Sequence, residues 1–335
     1  LIERILEIRP TEVATGIYRL SVPVPFIGLG QVNIWLLEDD EGFAMIDCGV
    51  SNSETRRVIE DAWAYLFPRR SLTRFIVTHF HPDHVGNAGF VSSRWNVRPQ
   101  MTLMEWMAAN VAQSGLYSDD VELRTSFFRQ NGASAEQLSR FLAETHLYHS
   151  NVSLPDSFDR IRAGDSLSIG WRCWTVLTGR GHSPDLVMLY SSTDDILIAG
   201  DQLLPKITPN ISVWPWEPLA DPLSEFLESL QRLAEITTSR TLVLPSHRDP
   251  FEDAPSRVHE IVGHHANRLV QVRSLLDEGP STAAAMLGSL FRPNLDGHQF
   301  SFAMGEALAH LNHLTFKGLV NRRAGFDGTI SYSLS

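Results

Sequence analysis

The stretch Thr78-His79-Phe80-His81-Pro82-Asp83-His84 decides how this chain is read, because three imidazoles and a carboxylate crowd into the six residues from His79 to His84. A plain apolar core gains nothing from such a cluster, whereas a cation does. Residues 74–78, Arg-Phe-Ile-Val-Thr, read as a short buried strand, and residues 84–95 read as a helix. The cluster therefore lies on a loop at the carboxyl end of a strand, where open α/β sheets place their ligands. On such a turn His79 and His81 can point at one cation while Asp83 and His84 point at a second.

Three other strand ends offer further ligands. His182 follows the run 174–177 within Thr178-Gly-Arg-Gly-His182-Ser-Pro, whose glycines allow close backbone approach. The apolar run Ile196-Leu-Ile-Ala-Gly ends in Asp201, and Thr241-Leu-Val-Leu-Pro-Ser ends in His247. Each alone is a weak signal; together they supply ligands for a pair of cations bridged by Asp201.

These motifs resemble the metallo-β-lactamase superfamily: a His-x-His-x-Asp-His run, a His after a glycine turn, a Gly-Asp, then a late His. The resemblance spans residues 13–251 and implies that His79, His81 and His182 hold a first metal. By the same carry-over Asp83, His84 and His247 hold a second, and Asp201 bridges them. Asp47, in Met45-Ile-Asp-Cys-Gly49, matches the strand-end Asp-x-Gly that steadies the ligand loop. The one local departure is Ser246, where many members have Gly.

Composition sets wider bounds. The chain has 335 residues, 43% of them hydrophobic, enough for one large α/β unit and a smaller one. No window approaches the ~18 uninterrupted apolar residues of a membrane span. A net charge of -11 disfavours a general nucleic-acid coat, since backbone binding requires clustered cations. Cys48 and Cys173 cannot make a disulfide framework, and both lie in apolar strand contexts where a buried thiol is expected. A reducing cytoplasm fits that usage, and no secretory signal is visible, although the chain begins at Leu1.

The expected fold is an α/β sandwich of the αβ/βα type, with a helical insertion and a helical, winged-helix-like tail. One strand set falls at residues 16–22, 32–37, 43–47 and 74–78, with a helix over 53–67. A second falls at 167–169, 172–177, 186–190, 195–199 and 241–244. A catalytic unit over 1–254 carries the helical insertion at about 104–148. Residues 255–335 follow, with helices over 255–276, 281–291 and 301–318 and a strand pair across Phe326-Asp-Gly-Thr. Met104, Trp106, Met107, Val111, Leu116 and Tyr117 form an apolar stripe assigned chiefly to packing. Trp106, Tyr117, His146, Tyr148 and His149 are candidates for meeting substrate, as are the loop 204–216 with its two Trp and the loop 23–28 with Phe26. His259, His264, His265, His298, His310 and His313 read most simply as surface or interface residues.

The resemblance implies a dinuclear metal-dependent hydrolase acting through a metal-bridging hydroxide, with Asp83 also orienting water and passing a proton to the leaving group. Five imidazoles and two carboxylates without a thiolate suit two Zn²⁺ ions, with Fe or Mn as alternatives. His81, where a flavodiiron relative would have Glu, favours hydrolysis. The run from Thr78 to Asn87 is similar to hydroxyacylglutathione hydrolases, and Trp- and Phe-rich walls suit a small acyl substrate, so a thioester or carboxylic ester comes first. A lactonase or β-lactam hydrolase is second and an endoribonuclease third, the last supported by the tail and opposed by the charge. A mononuclear-iron sulfur dioxygenase is an alternative of another class, and a non-catalytic scaffold comes last. No membrane or nucleic-acid partner is expected; the tail could instead serve packing, closure of the cleft or a homodimer.

Overall fold

The computed structural model describes residues 9–26, 29–66, 71–115, 121–144 and 148–335. The first sheet has the order β1 (Thr11–Ala14), β2 (Ile17–Pro23), β3 (Gln31–Asp39), β4 (Gly42–Ile46), β5 (Ser71–Ile76), β6 (Pro99–Met101) and β7 (Asp159–Arg160). Its first four strands pair antiparallel and its last four parallel. The second sheet is built from β8 (Ser166–Ile169), β9 (Arg172–Gly179), β10 (Leu186–Ser191), β11 (Ile196–Gly200) and β12 (Leu242–Pro245), in the order β12-β11-β10-β9-β8. Strands β9 and β11 both lie antiparallel to β10, and β12 runs parallel to β11. The carboxyl ends of β9, β11 and β12 consequently share one edge.

Helices follow the strands: α1 (Ser53–Leu66), α2 (Pro82–Val85), α3 (Ala88–Trp95), α4 (Leu103–Gln113), α5 (Val121–Gln130) and α6 (Ala135–Glu144) belong to the first half. Next come α7 (Pro222–Ile236), α8 (Ala254–Asp277), α9 (Ala283–Leu290) and α10 (Gly297–Phe316), then the hairpin β13 (Val320–Ala324) and β14 (Ile330–Leu334). Trp35, Ile46 and Ile76 of one sheet meet Trp174, Val187 and Ile198 of the other in a dry layer. A second cluster joins the outer face of the first sheet to α1 and α3 through Phe43, Phe75, Ile59, Trp63 and Val91. A third joins the outer face of the second sheet to α5–α10, so the insertion and the tail share one core containing Phe128, Phe141, Phe226 and Met304. At about 25 cal/mol per Å² of apolar surface removed from water, these three layers are the main force that fixes the strand ends against one another. Among the described residues no helix is long and apolar enough to cross a membrane.

Several expectations are corrected. The helix expected over 84–95 is interrupted between α2 and α3. There Asn87 donates its side-chain amide to the carbonyls of Cys48 and Val50, and Gly86 abuts the Gly49 carbonyl so closely that no side chain fits. The third tail helix begins at Gly297, not 301, because Asp296 and Gln299 form a capping box. Met104 and Met107 are exposed, and α4 buries Glu105, Ala109 and Ala112 instead; small residues let that face approach the sheet. Cys173 is exposed because β9 alternates, with Arg172, Trp174 and Val176 facing inward. His265, His310 and His313 are buried between helices, where desolvation pushes His265 down to about 3 and His310 to about 4. Leu116, Tyr117 and His146, and Ile27 and Gly28 of the candidate loop, lie outside the described residues.

Candidate metal centre

All seven candidate ligands converge on one edge of the sandwich. His79 and His81 follow β5, Asp83 and His84 sit on the short α2, His182 follows β9, Asp201 follows β11 and His247 follows β12. Ligand atoms lie within 4.8 Å of one another in three groups: His79, His81 and His182; His79, His84 and Asp201; Asp83, His84 and His247.

Each ring except His81 has its remaining nitrogen fixed by an acceptor. His84 Nδ1 donates to Asp47 Oδ2 at 2.8 Å, His182 Nδ1 to the Asn210 carbonyl at 2.9 Å, and His247 Nδ1 to the Gln31 carbonyl at 2.7 Å. Thr78 Oγ1 spends its hydrogen on Asp47 Oδ2 at 2.9 Å, so at 3.0 Å it accepts from His79 Nδ1. The Nε2 atoms are thereby aimed inward, the arrangement that outer partners impose on metal-binding imidazoles. His79 Nε2 and His182 Nε2 then face each other at 3.3 Å with bare lone pairs, and His81 Nδ1 lies 2.9 Å from His79 Nε2.

On the other side, Asp201 Oδ2 is 3.7 Å from His84 Nε2 and 3.5 Å from both His182 Nε2 and His247 Nε2. Asp83 Oδ2 is 3.4 Å from His247 Nε2 and 3.6 Å from His84 Nε2. Two ligands held at ~2.0–2.1 Å on a tetrahedral cation would be about 3.4 Å apart, a spacing these separations could accommodate. Asp83 Oδ2, His84 Nε2, Asp201 Oδ1 and His247 Nε2 are buried with no hydrogen-bond partner among the described residues, a costly state that a divalent cation would relieve. The donor set fits a metal.

Protons mark the same division. Burial lowers His79 well below the usual histidine value and takes His81 down to about 3, neighbouring imidazoles adding to the effect; burial also lowers His182. Burial would lower His84 and His247 too, but Asp83 and Asp201 outweigh it, lifting His84 well above its usual range and His247 to about 10. Burial opposes ionisation of Asp83 and Asp201, yet the facing His84 and His247 hold Asp83 at about 2 and Asp201 well below the carboxylate range. Without metal, one half is neutral and the other an ion-pair cluster whose protons a cation would displace.

Asp47 is fully buried with a φ of 64°, in the left-handed region that costs a non-glycine residue on the order of 1 kcal/mol or more. That conformation lets one carboxylate take Thr78 N at 2.7 Å, the Thr78 hydroxyl and His84 Nδ1, tying the loop after β4 to the ligand loop. Glu105, absent from the sequence reading, does the same between two ligand loops. Its Oε2 accepts from Phe80 N at 2.9 Å, and its Oε1 from Ser183 Oγ at 2.8 Å and Asp185 N at 2.7 Å. Asn33 clamps the turn around His247, donating to the carbonyls of Pro245 and Arg248 at 2.9 and 2.8 Å. The only sequence signal for Glu105 is an acid on the inward face of an otherwise apolar helix.

Of the candidate wall residues, Tyr148 is buried with its hydroxyl on the Phe80 carbonyl, Trp106 stacks on Phe158 at 4.7 Å, and His149 is exposed on a 3-10 turn. In the 204–216 loop, Leu204, Ile211 and Val213 enter the core while Trp214 and Trp216 stack at 5.2 Å. Phe26 stacks on His298 of α10 at 5.7 Å.

Comparison with known proteins gives the same frame. The model of the metallo-beta-lactamase superfamily matches residues 27–247, and that of the metallo-beta-lactamase-like C-terminal domain matches residues 269–335. A beta-lactamase domain protein from Burkholderia ambifaria superposes with a TM-score of 0.90 at 38% identity, covering 97% of this chain and 94% of that one. A metallo-beta-lactamase family protein from Thermus thermophilus gives 0.80 at 28% identity, with 97% and 100% covered. The chain is also 27% identical over 304 residues to "Probable metallo-hydrolase YqjP" of Bacillus subtilis, spanning 88% of this chain and 91% of that protein. A match over most of the sandwich, reaching from the β2–β3 loop to the last imidazole of the cluster, leaves one conclusion: the chain belongs to the metallo-β-lactamase superfamily.

Proposed function

We propose that this metal-dependent hydrolase holds two divalent cations, Zn²⁺ by donor type, and cleaves a thioester or carboxylic ester. The observation that carries the pair is Asp201, whose Oδ2 lies 3.5–3.7 Å from imidazoles of both halves, as a bridging carboxylate requires. His79, His81 and His182 would hold one ion, and Asp83, His84 and His247 the other. Bound cations of this kind acidify water toward neutral pH and polarise a carbonyl oxygen. The chain's own part is to position and to move a proton. Asp83 Oδ2 faces the cluster with no hydrogen-bond partner among the described residues, placed to take a proton from water and return it to the departing thiolate or alkoxide. Asp47 and Glu105 keep the ligand loops at fixed separation, which matters because misplacement by ~1 Å can cost about 10²-fold in rate.

An acyl substrate is favoured over a polyanion by the net charge of -11 and by the aromatic pair Phe26 and His298. In the tail, Arg322 sits opposite Tyr332 in the hairpin and is half-buried against its own strand pair. The test is a panel of acyl-CoA, acyl-glutathione, lactone, β-lactam and RNA substrates with metal content measured on the same sample. Thioester or ester turnover at close to two metals per chain is expected. Robust RNA cleavage without it, or one iron per chain, would overturn the reading.

A further inference from the structure

Helix α10 is buried along almost its whole length, yet His298, Phe302 and Glu306 are partly exposed. Their i, i+4, i+8 spacing places them in one line of about 12 Å. At its inner end Glu306 lies beside Asn210, whose carbonyl holds His182 Nδ1 at 2.9 Å. Helix and loop touch there because position 305 is glycine: a Cβ would lie 2.5 Å from Ser212 Oγ, and Val213 N donates to the Gly305 carbonyl at 3.1 Å. At its outer end His298 meets the Phe302 ring edge-on at 4.5 Å and stacks on Phe26. Phe26 leads into Gln31, whose carbonyl orients His247. One end of the exposed line thus lies at the loop whose carbonyl aims His182, and the other stacks on Phe26, five residues before the Gln31 carbonyl that aims His247.

We propose that this line is the acyl-recognition wall of the cleft, with the rings of Phe26, His298 and Phe302 taking an apolar acyl chain and Glu306 a hydroxyl or ammonium donor near the scissile carbonyl. The substrate class is then a medium-length acyl thioester or ester with a polar substituent close to its carbonyl, a reading that rests on the ester or thioester assignment. Burial pushes Glu306 up to about 7 against the pull of Arg268 and Asn210, which suits a carboxyl facing a half-apolar cleft. In the reaction a water oxygen bonds to the acyl carbon, the carbon–sulfur bond breaks, and the water's proton ends on the thiolate.

The experiment uses metal-loaded protein and N-acetylcysteamine thioesters of acetate, octanoate and 3-hydroxyoctanoate. Wild type should prefer octanoyl to acetyl in kcat/KM. Phe302→Ala should cut that preference by about 10- to 200-fold through KM, as expected for apolar contacts, while Phe302→Leu keeps most of it. Glu306→Gln should lower the preference for 3-hydroxyoctanoyl over octanoyl by roughly tenfold or more. Octanoate binding to metal-free protein, followed by calorimetry, gives a readout independent of turnover, and Phe302→Ala should weaken it. If no thioester is cleaved, the functional assignment fails while octanoate binding still decides the wall. A chain-length preference and an octanoate affinity both unmoved by Phe302→Ala would overturn the inference.

Discussion

Replacing Glu105 by Gln tests whether the ligand loops need their clamp. The carboxylate takes Ser183 Oγ and Asp185 N on one oxygen and Phe80 N on the other, and the residue has no exposed surface. An amide oriented to keep the first two sets its own N–H₂ against Phe80 N–H, leaving at least the Phe80 donor without an acceptor, at about 1–3 kcal/mol for that donor alone. If that cost falls on the metal-bound geometry, metal affinity drops by roughly 5- to 150-fold. The same variant carries a pH signature. Burial, with help from Asp185, pushes Glu105 up to about 7 from the ordinary 4.5, although three hydrogen bonds oppose the shift. Between those values the folded chain holds a proton that the unfolded chain has lost, and the rotatable Ser183 hydroxyl can accept it. Stability from this group is therefore greatest at low pH and is lost as pH rises from about 4.5 to 7, by on the order of 3 kcal/mol. Gln cannot titrate, so wild-type minus variant unfolding free energy, measured in urea on metal-free protein, should fall across that window. A flat difference together with an unchanged metal dissociation constant would refute the clamp.

Asp201→Ala should lower both metal occupancies, because its carboxylate faces imidazoles of both groups; full metal by mass spectrometry with full activity would contradict the bridge. Asp83→Asn should retain the fold and lower kcat by about 10²–10⁴ with little effect on KM, and wild-type turnover with both metals bound would remove its proton-transfer role. Replacing Arg322 and Arg323 by Ala should leave ester hydrolysis and its weak salt dependence nearly as in wild type. Metal-dependent RNA cleavage weakened by salt and by that double replacement would favour the nuclease reading.

The elements with strong apolar patterning were legible in the sequence, since β4 and β11 are buried on both faces and read as continuous apolar runs. Short strands such as β6 and β7 were not, because two or three residues carry no period. Helix α7 had a usable signal, Asp221 capping Ser224 N with Pro222 at the first turn, in a stretch the sequence reading assigns to no element. The interruption after His84 was hidden because it depends on Asn87 reaching carbonyls of a distant loop.

A similar division runs through the site. His and Asp at strand ends announce themselves by side-chain chemistry, so the cluster could be assembled from sequence. The atoms that aim His182 and His247 are the backbone carbonyls of Asn210 and Gln31, which any residue type would supply. Their positions are set by what holds them: Gly305 on α10 packs against the first loop, and pairing with Pro23 across β2 and β3 fixes Gln31. Because the first of these contacts couples the tail to ligand orientation, a change on α10 should act on metal affinity and acyl preference together, whereas a change at Asp83 should leave acyl preference intact. Measuring both quantities in the Glu306→Gln and Asp83→Asn variants separates the two, and acyl preference shifting equally in both would mean that the tail stands apart from the site.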